Sequence, residues 1–433
     1  MSTHLKKSLS PLLLWGLGVG YVISGMYFGW NLGLEKGGTF GMAVATGLII
    51  VMYVCFSFSY CELACAIPKA GGGFDYANRA FGKNLGFITG LAQIIEFVLA
   101  PPAIAFAIGS YLNLSFPQLP VIASAIGVYV IFTALNIAGV KIAATFELLI
   151  TVLAVGELLL FFGITIPHFS VSNFTLHASI NGWSGVFAAI PFAIWFFLGI
   201  EGVANVAEES VNPQKDISKG FGSAMLTLIM LCVFTFVAAI GIGGWEKIVY
   251  NGEGAISDSP LPLAMGLAVS TNSWLYHLLI SIGLFGLIAS FHGLILAGGR
   301  ASMEFGKIKY APRFIGLVND RFLTPVNALL LNTGLGILAL FSGKTGDIIT
   351  ISVFGALTLY IISMMSLLKL RISEPALERP FKVPFYPFFP IIALVIGVIS
   401  IVAMTYYNLY LAILYFGTLV TGFLLFLIFH KSK

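Results

Sequence analysis

Two glutamates sit in stretches of sequence that water should not reach. Glu96 lies twelve residues into an apolar run that begins near residue 85, and Glu201 lies inside another, flanked by Gly199 and Gly202. An acid at the centre of a membrane helix costs about 2.5–3.5 kcal/mol on insertion scales, so each of these needs a role that offsets the cost. Glu96 could be the counter-ion of a cationic solute, or a neutral acid hydrogen-bonded to a neighbouring helix. Glu201 could touch such a solute, sense protons, or bond free backbone N–H groups of a locally unwound segment. Glu157, in a further apolar run, is a candidate proton relay, and His292 is either a packing residue or a proton carrier. Trp195, Phe196 and Phe197 precede Glu201, and a ring over an ammonium gains roughly 0.5–2 kcal/mol, so one of them could gate a cationic site. Glu62, Glu147, Glu208 and Glu209 fall near helix ends on the inner side, where a solvated carboxylate is expected.

The chain that positions these residues has 433 of them, 58% hydrophobic and only 9% charged, against the roughly 25% charged residues of soluble domains. Apolar runs near the length of about 20 residues needed to cross a ~30 Å hydrocarbon core recur at 12–34, 40–66, 85–111, 119–140, 144–166, 186–209, 218–243, 277–301, 325–342, 347–370, 388–407 and 410–430. The remaining segments, of which 167–185, 244–276 and 302–324 are the longest, read as surface connections. The chain is therefore expected to be an all-α integral membrane protein of about 12 transmembrane helices in the cytoplasmic membrane. Placing both termini in the cytoplasm puts Lys6, Lys7, Lys141, Lys431 and Lys433 inside, with every other Lys and Arg except Lys36, Lys247 and Lys344. The net charge of +4 then reflects topology and implies no nucleic-acid partner. The first apolar run exceeds the 7–15 residues of a signal-peptide core, so it is expected to remain as the first helix.

Several motifs fail on context. Gly16-x-Gly18-x-Gly20 follows no strand, and Gly343-Lys344-Thr345 has Leu338 where a phosphate loop needs its first Gly. Cys55, Cys61, Cys65 and Cys232 lie within spans, and Cys61-x-x-x-Cys65 is not a metal spacing. No metal, cofactor or disulfide is expected, and no enzyme signature is present.

Two spans look breakable. The first carries six Gly in the eighteen residues from Gly16 to Gly33, and Ser24-Gly25 lies at mid-membrane, where a helix could unwind. Gly25, Gly29 and Gly33 also form a small-residue face suited to helix packing. The sixth carries the second break around Gly199 and Gly202. Irregular backbone at membrane depth survives only where protein buries it or a solute cavity hydrates it, so two breaks five spans apart suggest one shared site between inverted halves. The halves expected are 1–166 and 186–370, with two extra helices in 388–430.

Three stretches carry a resemblance over nearly the whole chain. Gly20-Tyr-Val-Ile-Ser-Gly-Met-Tyr-Phe-Gly-Trp-Asn31, Pro68-Lys-Ala-Gly-Gly-Gly-Phe-Asp-Tyr-Ala-Asn-Arg-Ala-Phe-Gly82, and Pro191-Phe-Ala-Ile-Trp-Phe-Phe-Leu-Gly-Ile-Glu-Gly202 with Ala207-Glu-Glu-Ser-Val-Asn-Pro-Gln-Lys-Asp216 resemble the amino acid–polyamine–organocation superfamily, and within it the ethanolamine permeases. The resemblance implies ten helices in two inverted halves plus two peripheral helices, with the solute between helices 1, 3, 6, 8 and 10. It implies that backbone N–H groups at Ile23, Ser24, Gly25 and Met26 meet the substrate's anionic or hydroxyl end. Carbonyls from Phe197, Leu198, Gly199, Ile200 and Glu201 would meet its ammonium, with Trp195 closing the site. Two positions depart from relatives: Ala154 stands where some proton-coupled members carry Lys, and Met26 where some ethanolamine permeases carry an acid. The function expected is secondary transport of ethanolamine or a similar small primary amine, coupled to a proton, to sodium or to exchange. The rival is a zwitterionic amino acid as substrate, and a channel or sensor is more distant.

Overall fold

The computed structural model describes residues 9–138 and 140–431, so Lys6, Lys7 and Lys433 lie outside the described residues, as do the side chains of Lys141 and Lys431. The helices in chain order are α1 (Pro11–Val22), α2 (Ser24–Tyr27), α3 (Asn31–Ala66), α4 (Gly73–Phe81), α5 (Lys83–Ser115), α6 (Val121–Ala138), α7 (Val140–Thr165), α8 (Val171–Thr175), α9 (Gly182–Trp195), α10 (Pro213–Gly241), α11 (Glu246–Val249), α12 (Pro260–Ala268), α13 (Trp274–Lys307), α14 (Val326–Leu340), α15 (Thr345–Ser373), α16 (Phe388–Tyr407) and α17 (Leu409–Lys431). Among the described residues, ten helical segments are long and apolar enough to cross a membrane, and two shorter apolar ones, Pro11–Tyr27 and Val326–Leu340, complete the expected twelve. Among the described residues there is no strand, only two isolated β-bridges.

Packing follows the five-span offset between the two broken spans. The first span (α1) packs on the seventh (α10), and the sixth (α9) on the second (α3). The third (α5) packs on the tenth (α15), and its counterpart, the eighth (α13), packs on the fifth (α7). The third and eighth also pack on each other. Each contact thus maps onto another when spans are exchanged five apart, and α16 and α17 lie outside this scheme, against α3, α9 and α15 and against α5 and α15. Their outer faces carry exposed Val395, Ile399, Val402 and Leu424, as lipid contact requires.

Three local features depart from a simple reading of the runs. The loop expected after the first span is a one-residue kink: within α3 two helical stretches meet at Gly38, whose φ of +66° is not helical and is a conformation Gly adopts at no steric cost. The 244–276 connection is more than surface chain, since Leu261, Ala264 and Met265 of α12 are buried. Pro101 and Pro102 stand inside α5 one turn beyond Glu96. Lacking N–H groups, they leave the carbonyls of Phe97 and Val98 without their usual partners.

Candidate functional site

The first span loosens in two places. At Ile23 the ladder opens for one step: Ser24 N–H donates to Ser290 Oγ of α13 at 2.8 Å, and the same hydroxyl donates to the Gly20 carbonyl at 2.7 Å. Ser290 therefore replaces one intrahelical bond with a bridge from the eighth span. Ile23 N–H donates to the Val19 carbonyl and Met26 N–H to the Ile23 carbonyl. The extended backbone lies further on, at Phe28 and at Gly29 with φ +88°. This corrects the expectation of bare N–H groups at Ile23, Ser24 and Met26, because protein acceptors already take those three. The side chains of Trp30, Tyr111 and Trp195 donate to the carbonyls of Met26, Tyr27 and Phe28, at 3.0, 3.3 and 3.1 Å. Backbone acceptors freed by the break are thus paired by aromatic donors, as burial demands.

The sixth span breaks where Gly199 marks it. After α9 the chain turns through Phe196–Gly199, where Gly199 takes φ +96°, and resumes as a 3-10 helix over Ile200–Glu209. The two breaks touch. A Cβ at Gly25 would stand 2.5 Å from the Trp195 carbonyl oxygen and 3.0 Å from Phe196 Cα, so only glycine permits this approach. Trp30 stacks on Phe196 at 5.6 Å, and Phe28 meets Trp195 edge-on at 5.5 Å. Trp195 and Phe196, the expected gates, are therefore bolted to the first-span break, and Phe197 faces Tyr53 at 5.2 Å. Leu198 and Ile200 are buried beside them.

Beneath this junction Glu96 and Glu201, from the third and sixth spans, meet carboxyl to carboxyl within hydrogen-bonding reach. Both are fully buried. Tyr360 of α15 donates to Glu201 Oε2 at 2.7 Å. The Tyr53 hydroxyl lies 3.2 Å from that of Tyr360 and 3.4 Å from the Ile194 carbonyl, which accepts from it. Span ten also fixes Glu96: Ser352 Oγ donates to its carbonyl at 3.1 Å, and a Cβ on Gly355 would stand 3.2 Å from Glu96 Cβ. Among the described residues, neither oxygen of Glu96 nor Oε1 of Glu201 has a well-formed hydrogen bond, although the backbone N–H groups of Gly199 and of Glu201 itself approach the Glu201 carboxyl. A carboxylate only accepts, so the pair can be satisfied by a proton shared between them or by a cation that donates to both. One turn further, Gln93 donates to Asn205 at 3.1 Å and Asn205 to the Ala70 carbonyl at 2.7 Å, extending polar groups toward the 67–72 loop.

Glu157 accepts from Tyr27 at 2.6 Å and lines a small cavity with Tyr27, Tyr111, Pro262 and Met265. His292 is paired with Glu147, Nδ1 to Oε2 at 2.9 Å, both buried. Three acids expected to be solvated are thus enclosed: Glu147 by His292, Glu209 by Arg300 at 2.6 Å, and Glu62 by Arg371 and Arg379 at 2.7 and 3.3 Å. A buried charge must be paired, and partners distant in sequence supply the pairing. Tyr360, Tyr53, Ser290 and Ser352 were not singled out from sequence. The one signal available was a hydroxyl within an otherwise apolar span, and for Ser290 its place two residues before His292.

Twelve apolar spans, two broken helices in contact and a buried acidic pair between them define a polytopic membrane transporter rather than an enzyme. Residues 9–424 match the family model described as amino acid permease, and the chain belongs to that family. It is 27% identical over 399 residues to an uncharacterized transporter of Rhizobium meliloti, covering 88% of this chain and 83% of that protein. It is 24% identical to a branched-chain amino acid permease of Lactococcus lactis, with coverages of 88% and 86%. A methylthioribose transporter of Bacillus subtilis is 25% identical, with coverages of 89% and 85%. The chain is a multi-pass protein of the cell membrane that moves a small solute.

Proposed function

We propose that this permease carries ethanolamine or a similar small primary amine by alternating access, with halves 1–166 and 186–370 moving about the paired breaks. The observation that supports it is the Glu96–Glu201 pair. A primary ammonium has three donors, enough to bridge the unpartnered oxygens of both carboxyls, and among the described residues no Lys or Arg is paired with either. The free acids favour a solute with net positive charge, since a carboxylate placed there would be repelled.

A second reading has its own support. One relative is named as a branched-chain amino acid permease, and a zwitterion would present an ammonium to the same pair. Proteoliposome counterflow separates the readings: vesicles loaded with unlabelled ethanolamine should accumulate labelled ethanolamine transiently. Exchange of leucine without exchange of ethanolamine would transfer the assignment to the second reading. Exchange of neither would remove both.

A further inference from the structure

Glu147 and His292 form a second buried titratable pair, away from the carboxyl pair and wedged between α1, α7 and α13. His292 Nδ1 lies 2.9 Å from Glu147 Oε2. On the far side of each group one polar atom is left over: His292 Nε2 and Glu147 Oε1 are buried and bond to nothing among the described residues. The leftover carboxylate oxygen lies against Gly20, and 3.2 Å from where a Cβ on Gly293 would stand. The pair therefore reaches the stretch of α1 that leads to the Ser290 bridge, and Ser290 is two residues from His292 on the same helix.

The surroundings are specific. From α1, Tyr21 lies among Glu147, Glu209 and Arg300, and its hydroxyl is unpartnered. Arg300, from α13, is held by Glu209 of the 3-10 helix at 2.6 Å. From α6, Phe132 faces the imidazole edge-on and Asn136 donates to the His292 carbonyl, while α7 adds the Phe146 ring. Those rings carry no charge, and Arg300, the cation among the described side chains here, is already paired with Glu209.

We infer that this transporter is proton-coupled and that the Glu147–His292 pair is its proton site. In the unloaded state neutral His292 donates from Nδ1 to the Glu147 carboxylate and Nε2 is bare, so the pair carries one negative charge. A proton taken from the outer solution binds Nε2, makes the imidazolium and brings the pair to zero. When the site opens inward the same proton leaves from Nε2, and one proton has moved per cycle. Loading also changes the charge pressed against Gly20, which links proton occupancy to the first-span break through Ser290. The inference rests on the carrier reading above but not on which solute is carried.

The test uses the full chain in proteoliposomes containing a pH-sensitive dye, with ethanolamine in one arm and leucine in the other. Counterflow without a gradient shows which solute the wild type carries, and failure in the ethanolamine arm alone counts against the substrate reading only. For the carried solute, its addition outside should acidify the lumen, and an inward proton gradient should drive accumulation. His292→Gln and Glu147→Gln should keep counterflow within about threefold of wild type while gradient-driven accumulation falls at least tenfold, to the equilibrium level. Gradient-driven accumulation that survives in both variants would overturn the assignment. So would a wild type that counterflows a solute yet moves no proton with it, a result that does not depend on the variants folding.

Discussion

Glu96 and Glu201 face each other from separate spans, and among the described residues the hydroxyl donor to the pair is Tyr360. The contact is built by close approach: Gly355 lets α15 lie against the backbone around Glu96, with a Cβ there only 3.0 Å from Glu96 N. Tyr360, one turn further along α15, then reaches Glu201 from the other side.

If the pair is the cation site, Glu96→Gln removes one charge while its amide can still donate to Glu201. Deleting one partner of a buried ionic contact costs about 3–5 kcal/mol, so ethanolamine affinity should fall a hundredfold or more. Thermal stability should hold or rise, because an amide beside a carboxylate needs no shared proton. Calorimetry on the purified variant, with melting measured in parallel, decides this. Near-native affinity would take Glu96 out of the substrate site.

Tyr360→Phe tests the support of the pair. The ring stays, but Glu201 Oε2 loses a 2.7 Å donor and Tyr53 loses a neighbouring hydroxyl while keeping the Ile194 carbonyl as acceptor. A lost hydrogen bond to a buried acid costs about 1–3 kcal/mol, so uptake at limiting substrate should fall about tenfold. Tyr53→Phe leaves the Glu201 bond in place and should cost less. Equal losses in the two variants would mean that the hydroxyl on Glu201 has no special part.

The location of the acids was legible in the sequence because an ionised group in an apolar run has few explanations. The Gly199 turn was legible for the same reason, since Gly flanks an acid there. The first-span break was harder to place. Its six glycines carry equal weight in a sequence, but the structure uses Gly25 for contact with the Trp195 carbonyl and Gly29 for a positive φ, so the extended backbone falls four residues beyond Ser24. Glu62, Glu147 and Glu209 read as solvated because they lie near helix ends, and nothing local reveals that Arg371, Arg379, His292 and Arg300 come back to cover them. Tyr360 was hidden by its type, because tyrosine in a membrane helix is common without any site.

Gly25→Ala should separate packing from solute space. One methyl group cannot fill a substrate cavity, but here it would stand 2.5 Å from a backbone oxygen that cannot swing aside. Overpacking of this kind costs about 1–3 kcal/mol, and it should abolish counterflow by forcing the two breaks apart. Gly47→Ala, in α3 with nothing near its Cβ, is the control and should leave transport intact and stability equal or higher by up to about 1 kcal/mol. Normal exchange by Gly25→Ala would show that the breaks need not touch.

Asp258, in the outer connection before α12, gives a pH dependence whose sign is fixed. Burial pushes its carboxyl up to about 6, against a smaller opposing effect of the hydrogen bond from Thr345 Oγ1 at 3.0 Å. Between the ordinary Asp value of about 4 and about 6, the folded protein holds a proton here that the unfolded chain has released. Stability contributed by this group is therefore present at low pH and declines as pH rises through that window. Asp258→Asn imitates the protonated form at every pH, so its melting temperature relative to wild type should increase from pH 4 to pH 6 and level off above. Neighbouring Ser257 accepts from Asn31 through its carbonyl at 2.8 Å, so the same residue anchors the outer connection to the start of α3. Melting curves of both proteins in one detergent at half-unit pH steps measure the difference directly. A constant offset across the window would show that Asp258 titrates alike in the folded and unfolded chains.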